Sequence, residues 1–565
     1  MGTGLSRGHR YLSMRNPIAR AIFLAALMLC LGALFLQTDL DVREAIKKTA
    51  ASAKEVIVAQ SQRIGNPEAG WGTRVDISLQ QDEERRELAM AQATILNSSI
   101  PMTCDYDMEK LRRWRQQYNL QETFEYMKRY IQVFRENIPR KSITNVDENF
   151  LAQDFKLINI NEQYPAEMCP PPLIAPVSKS RFPSTVNASD FMFGVSTTYK
   201  RFTDPRTSPV NEWSYWLTDG YGHSNGGKLV LLLLDASDED LENAYNKLTN
   251  LGIDVDVYRS DPNQIMAVRY LALVPKLYNH PERSRKKWLV ICDDDTFFPS
   301  FHALSDRLRE YDYTQPMYIG TLSEDVNNIQ RHGSQAFGGA GVFLSVPMAA
   351  LVTEKFESCK TDDKILEANS GWGPQGDILL RKCIYENSEI KLTLLPDLWQ
   401  LDLMGDPSGF YESGIQPLSL HHYRGGIWHV AHPWHYTKVA YVCGEDCTFQ
   451  RFRTPDNFII ANGFSVAQYP QGIDFDLGQF EGTFHAAPED KGWNLDFAMG
   501  PQRPSLHRTG RKISWDLQEA TRNDDGSVSQ VYVRKRDDWR WVRPDGSPMR
   551  EKDGIVELVW LPDER

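Results

Sequence analysis

Unbroken apolar runs alternating with charged, helix-forming stretches dominate the middle of this chain. Phe191-Met-Phe-Gly-Val-Ser, Lys228-Leu-Val-Leu-Leu-Leu-Leu-Asp and Trp288-Leu-Val-Ile-Cys are short enough to be buried strands, while 240–251 and 265–278 carry apolar residues at helical spacing. Continuous apolar strands interleaved with helices predict an α/β fold, with a mostly parallel sheet covered on both faces. Two other regions read differently. Residues 111–134 place Leu, Trp, Tyr and Phe three and four apart among many charges, which predicts an amphipathic helix. After about 436, alternating segments such as Val528-Ser-Gln-Val-Tyr-Val-Arg and Gly554-Ile-Val-Glu-Leu-Val-Trp predict a small β-rich module.

The N-terminal pattern is of another kind. Residues 21–36 are apolar without interruption, preceded by Arg7, Arg10, Arg15 and Arg20 and followed by Asp39 and Asp41. That asymmetry predicts a single membrane anchor with its tail in the cytoplasm. Sixteen helical residues reach only about 24 Å, which suits a thin early-secretory membrane. A cleaved leader is the alternative, but Leu-Phe-Leu-Gln-Thr offers no small-x-small site. The expected partition of the 565 residues is a tail at 1–17, an anchor at 18–37, a polar stem at 38–100, a helical accessory region with a Pro-rich linker at 101–189, a catalytic α/β domain at 190–435 and the β-rich module at 436–565.

Composition then narrows the partners. A formal charge of −12 argues against nucleic acid, which would demand a basic footprint. A luminal location fits the sequons Asn97-Ser-Ser and Asn187-Ala-Ser. Setting aside Cys30 in the anchor and Cys292 in an apolar strand leaves six cysteines, which an oxidising lumen would pair in order as 104–169, 359–383 and 443–447. Cys443-Gly-Glu-Asp-Cys447 could instead be a reactive pair.

Candidate chemistry concentrates where Trp288-Leu-Val-Ile-Cys runs into Asp293, Asp294 and Asp295. Three adjacent carboxylates repel one another and raise their own pKa values, so the arrangement points to a divalent cation that offsets the repulsion, with a solvated acidic turn as the bland alternative. Oxygen ligands suit Mg²⁺ or Mn²⁺. In open α/β sheets ligands bind beyond the carboxyl ends of strands, where this cluster lies. Three elements follow. Phe337-Gly338-Gly339-Ala-Gly enters an apolar strand and either lets a ligand approach the backbone or makes a tight bend. Asp377 begins a probable helix and serves as its cap or as a general base. His421 and His422 leave an apolar strand and either complete a metal shell or are buried structural histidines. An aspartyl-phosphate phosphatase is excluded, since Thr296 and Phe297 do not follow Asp295 with the spacing that chemistry needs.

Taken in order, Phe191-Met-Phe-Gly-Val-Ser, the triple-Asp segment 288–298, Tyr318-Ile-Gly, Phe337-Gly-Gly-Ala-Gly-Val-Phe-Leu-Ser, Gly376-Asp377 and Leu418-Ser-Leu-His421-His422 resemble the fringe-related β-1,3-glycosyltransferases, glycosyltransferase family 31, most closely plant and fungal members. The resemblance covers about 190–435. It implies a GT-A fold, a UDP-sugar donor, Mn²⁺ or Mg²⁺, a glycan or glycoprotein acceptor, inversion at the anomeric carbon and a type II Golgi membrane protein, with the endoplasmic reticulum as the other compartment. It also implies Asp295 and Asp293 as metal ligands with His421 as their partner and His422 as the fallback. Asp293 and Asp294 would contact the donor with Thr197, Thr198, Arg201, Gly338 and Gly339, and Asp377 would be the base, although this chain has Gly-Asp-Ile where many relatives have two adjacent acids. A catalytically inactive carbohydrate-binding protein on the same scaffold is the rival reading.

Overall fold

The computed structural model describes residues 103–563 apart from 152–153, 396, 404–405 and 475–504. The tail, anchor, stem and Asn97 sequon expected before 101 lie outside the described residues; among those, no helix is long and apolar enough to cross a membrane.

The region expected to be helical is mostly strand. Two-residue β1 (Thr103–Cys104) precedes α1 (Met108–Gln117), which is capped by Asp107 accepting from the Lys110 amide. Then come β2 (Thr123–Glu136), β3 (Ile143–Asn145), β4 (Lys156–Asn159), β5 (Glu167–Met168) and β6 (Leu173–Ser178). The single helix predicted over 111–134 therefore breaks in two. Asn119 at φ +49° takes the left-handed conformation that ends helices, and aromatic and β-branched side chains then favour extended backbone from 123 onward. Both faces of β2 are buried, by Phe124, Tyr126 and Phe134 on one and Met127, Ile131 and Val133 on the other, so helical spacing and double burial looked alike in sequence.

The predicted α/β sheet is present. Its strands are β7 (Phe191–Thr198), β8 (Lys228–Leu234), β9 (Asp254–Arg259), β10 (Trp288–Ile291), β11 (Tyr318–Gly320), β12 (Val342–Ser345) and β13 (Thr393–Leu394), in the order β13-β11-β12-β10-β7-β8-β9. Four of the six neighbouring pairs are parallel, and only β12 runs against its two neighbours. Helices between them are α2 (Tyr199–Thr203), α3 (Val210–Leu217), α4 (Asp238–Asn250), α5 (Met266–Tyr278), α6 (Phe301–Leu308), α7 (Val326–His332), α8 (Val346–Cys359), α9 (Asp362–Glu367) and α10 (Gly376–Asn387). Alternate residues feed two cores: Leu289 and Ile291 of β10 face α5, α8 and α10, while Trp288 and Val290 join a core that holds Trp216, Phe298 and Phe301. A mixed α/β sheet of this kind fits a GT-A-like fold.

The second core extends into another sheet, so the C-terminal segment is not self-contained. Strands β14 (Arg451–Arg453), β15 (Phe458–Ala461), β16 (Ser465–Gln468), β17 (Ile513–Arg522), β18 (Val528–Arg534) and β19 (Gly554–Leu561) form a ten-stranded sheet with β2, β3, β4 and β6. Strand β19 pairs with β2 in parallel from Gly554 opposite Glu125 to Leu561 opposite Gln132. The expectation of a separate module at 436–565 is corrected by this pairing, which recruits the accessory region as its other half. His435 lies at this junction, where it accepts from the Ala520 amide.

The cysteines pair in the expected order, 104 with 169, 359 with 383 and 443 with 447, and Cys292 is buried and free. The second bridge ties the end of α8 to α10, the helix that carries Asp377. It closes a loop of 24 residues, worth about 3 kcal/mol by chain entropy. Replacing Cys359 and Cys383 together by Ser is expected to lower the thermal midpoint measured by calorimetry, while the single replacements, which strand one thiol in the core, cost at least as much.

Candidate active site

The site is assembled by one short piece of pairing. Beyond the end of β10 the chain turns through Asp293, Asp294 and Asp295, and Phe297 then exchanges two backbone hydrogen bonds with Leu420, at 2.9 and 2.8 Å. This isolated antiparallel bridge sets His421 opposite the acids. His421 Nε2 lies 3.1 Å from Asp295 Oδ1 and 3.4 Å from Asp293 Oδ2. One ligand atom from each of the three residues fits within 4.8 Å of the others. His422 is turned away: at φ +53° its Nδ1 meets Asp402 Oδ1 at 2.7 Å and its ring stacks 4.2 Å from Trp428. Of the two histidines offered by the sequence, the structure brings His421 to the acids.

Glycines make room for this histidine. A Cβ on Gly339 would stand 2.1 Å from the His421 ring, and one on Gly338 would stand 2.4 Å from the Tyr270 hydroxyl oxygen. Gly338 and Gly339 are buried and do not line the cleft, so their expected place beside the donor is corrected: they are spacers that admit His421 and Tyr270. Thr296 donates to the Gly339 carbonyl at 2.8 Å and Ser419 to the Ala340 carbonyl at 2.7 Å, which locks the glycine turn to both strand ends.

The third carboxylate has other partners. Thr197 donates to Asp294, and Arg201 reaches Asp294 at 2.7 Å and Asp295 at 3.1 Å. Thr198 caps α2 by accepting from the Arg201 amide, which fixes the start of that arginine's helix. These three predicted residues do line the cleft. Burial and the neighbouring Asp295 push the Asp294 carboxyl up to about 6. Burial also works against ionisation of Asp295, but the facing His421, then Arg201 and Arg424, outweigh it and hold that carboxyl well below the usual range. The same pairing holds the His421 imidazole well above its usual value in spite of burial.

Asp377 lies near enough to Asp293 and His421 to feel their charges. It lies in the first turn of α10, whose cap position is Gln375, so it is not the helix cap. Burial, then the charge of Asp293, push its carboxyl up to about 7, although the Gly338 amide, His421 and Tyr270 pull the other way. A carboxyl poised near neutrality suits proton transfer.

Sequence reasoning did not single out three lining groups. Arg424, Arg269 of α5 and Met266 border a cavity of about 600 Å³ together with Trp428 and the predicted acids and threonines. Arg424 pairs with Glu212 at 3.5 Å and its Nε is buried without a hydrogen-bond partner among the described residues. The usable signal was its position two residues past His422, on the same strand end. For Arg269 and Met266, one face of an otherwise buried helix, no local signal existed.

Asp293, Asp295 and His421 suit a divalent cation, since they offer two hard carboxylate oxygens and one imidazole nitrogen with a common focus. Gly339→Ala is expected to drive a methyl group into the His421 ring and weaken Mn²⁺ binding, measured by calorimetry, by roughly 10–100-fold, as loss of an orienting contact does.

Comparison with known proteins follows this geometry. The sequence profile of the Fringe-like family matches residues 187–413, which include the three acids and Asp377 and end eight residues before His421. No curated protein matches the sequence. Among solved structures the chain is similar to mouse xyloside xylosyltransferase 1 in its apo form, at 11% identity over 36% of this chain and 85% of that one, with a TM-score of 0.25. It is similar to the glycosyltransferase GlyE of Streptococcus pneumoniae, at 16% identity over 39% of this chain and 46% of that one, with a TM-score of 0.24. It is also similar to the mannosyltransferase PcManGT of Pyrobaculum calidifontis, solved with GDP-Man and Mn²⁺, at 13% identity over 39% of this chain and 58% of that one, with a TM-score of 0.24. The chain thus spans about half the length of the last two, and superpositions this loose say nothing about donor, acceptor or ion. The profile match falls on the acids and Asp377 that build the site, and it marks residues 187–413 as a Fringe-like domain.

Proposed function

We propose that this protein transfers a sugar, with inversion, from a UDP-sugar to an acceptor hydroxyl, in a β-1,3 linkage on a glycan or glycoprotein, with Mn²⁺ or Mg²⁺ as cofactor. The observation that carries the reading is the convergence of Asp293, Asp295 and His421 within 4.8 Å at a cleft of about 600 Å³. A cleft of this size accommodates a small organic ligand. Asp293, Asp295 and His421 would hold the ion, which when bound supplies positive charge next to the departing diphosphate. Arg201, Arg269 and Arg424 bring guanidinium groups to the same cleft, where they neutralise and orient phosphate oxygens. Asp377 accepts the proton of the attacking hydroxyl. One base suffices for inversion, because the hydroxyl attacks the anomeric carbon from the side opposite the leaving group.

The reading extends to a single-pass type II protein of the Golgi membrane, anchored through 18–37 with its catalytic part luminal. Supporting it are the arginine-flanked apolar run at 21–36 and three disulfides, a bond type that persists in oxidising compartments.

Two experiments test the transfer reading on the detergent-solubilised full chain. Incubation with a panel of UDP-sugars and Mn²⁺ is expected to release UDP from one donor, with release lost on chelation and reduced roughly 10³-fold in Asp295→Ala. Release that persists without metal, or in Asp295→Ala, sinks the proposal. The pH profile tests Asp377. Its carboxyl sits at about 7, above the ordinary carboxylate value, so the basic form grows as pH rises, and transfer is expected to climb through a midpoint between 4 and 7. The midpoint falls below 7 at saturating Mn²⁺, since the cation offsets the charge of Asp293. Asp377→Asn removes that limb and about 10²–10⁴-fold of the rate. The sign for stability is opposite: a raised carboxyl favours the neutral form in the fold, so its stabilising share is complete below the ordinary carboxylate pKa and fades as pH rises toward 7.

A further inference from the structure

The loop that leads into Asp377 exposes an aromatic side chain, Trp372. Residues 369–375 are tied down at several points. Asn369 Oδ1 accepts from the amides of Gly371 at 2.8 Å and Gly373 at 3.2 Å, the Ser370 amide donates to the Gly373 carbonyl at 3.2 Å, and the Gln375 amide to the Ala368 carbonyl at 3.0 Å. Gly371 at φ +95° and Gly373 at φ +98° supply the left-handed backbone that such a tight loop needs. Between them Trp372 projects outward and stays 67% exposed. The hydrogen-bonded loop thus holds an indole in the open, where its ring is available for stacking.

One face of that indole is already taken. The Arg331 guanidinium of α7 lies 4.2 Å from the ring centroid, which fixes the ring and leaves its other face open. Trp372 lies on the loop that leads into α10, the helix that carries Asp377. Trp372 precedes it by five residues, so their Cα atoms are at most about 17 Å apart, the span of two or three sugar rings. Behind Arg331, Gly333 packs on Arg381 of α10, and His332 meets Phe337 edge-on at 5.8 Å, beside Gly338, whose amide hydrogen-bonds Asp377. Trp372 and Arg331 are not among the residues that line the cavity holding Thr197, Arg201 and the three acids.

We infer that Trp372, backed by Arg331, is a stacking platform for a pyranose ring of the acceptor. The inference rests on the transfer reading above and adds the acceptor's class and its place. The axial C–H face of a pyranose packs on the open face of an indole as an apolar plate, while its equatorial hydroxyls stay at the rim in water. A sugar seated there presents the next residue of the same glycan toward Asp377.

The test uses the full chain and its Trp372→Ala and Trp372→Phe variants, with p-nitrophenyl glycosides of glucose, galactose, mannose and the N-acetylhexosamines and their β-linked disaccharides as acceptors. UDP release in water, which needs no acceptor, is recorded beside transfer. The expected result is that Trp372→Ala leaves UDP release within twofold while kcat/KM for the best glycoside falls roughly 10–100-fold through KM, and that Trp372→Phe restores most of it. Equal kcat/KM in all three forms overturns the platform, as does a parallel loss of UDP release. Transfer to none of the panel alongside intact UDP release overturns the pyranose assignment. Absence of UDP release from every donor is a failure of the transfer reading instead. In that case saturation-transfer NMR with the same glycosides decides the platform alone: signals that vanish in Trp372→Ala support it, whereas signals that persist, or none in the unaltered chain, overturn it.

Discussion

Two backbone hydrogen bonds between Phe297 and Leu420 hold the chemistry of this protein in place. Neither residue takes part in it. Their pairing joins the exit of one buried strand to the exit of a segment more than a hundred residues later, and it sets Asp295 and His421 on the same side. Because side chains alternate along extended backbone, a slip of one residue would turn His421 away and present Leu420 instead. The fully buried Phe297, stacked 5.3 Å from Tyr215, makes such a slip costly.

The same geometry explains how the fold tolerates three adjacent acids. Each has its own answer to repulsion: Asp293 faces His421, Asp294 takes the Thr197 hydroxyl and Arg201, and Asp295 is shared between Arg201 and His421. Opposite charge within hydrogen-bond distance offsets burial when the partners are well oriented. Orientation in turn comes from packing, since Gly339 leaves His421 a slot one methyl group too small for any other residue at that position.

Much of the α/β half was legible because strands buried on both faces read as continuous apolar runs, as in Trp288-Leu-Val-Ile and Val342-Phe-Leu-Ser. The acids and His421 were legible because each leaves such a run. What failed, failed for the same physical reason. Strand β2 is also buried on both faces, but its core-facing Met127 and Ile131 alternate with charged neighbours at intervals that mimic a helix, and its pairing partner lies at the other end of the sheet order of the sequence. The glycine pair was visible as a close approach, yet only coordinates show that the approaching group is the protein's own imidazole. Arg424 and Trp372 stand in loops, where no periodicity exists to read.

Strand β2 has a consequence for how the protein is made. Tyr126 and Glu557, hydrogen-bonded across the β2–β19 pair, are 431 positions apart. At ribosomal speeds of about 5–20 residues per second, β2 waits roughly 20 to 90 seconds for its partner to be synthesised. Throughout that interval a long strand with apolar residues on both faces has one unpaired edge, while the α/β half between the two is already complete and able to fold around its local contacts. Biogenesis therefore runs inside out, with the catalytic half finished first and the sheet that brackets it zipped last.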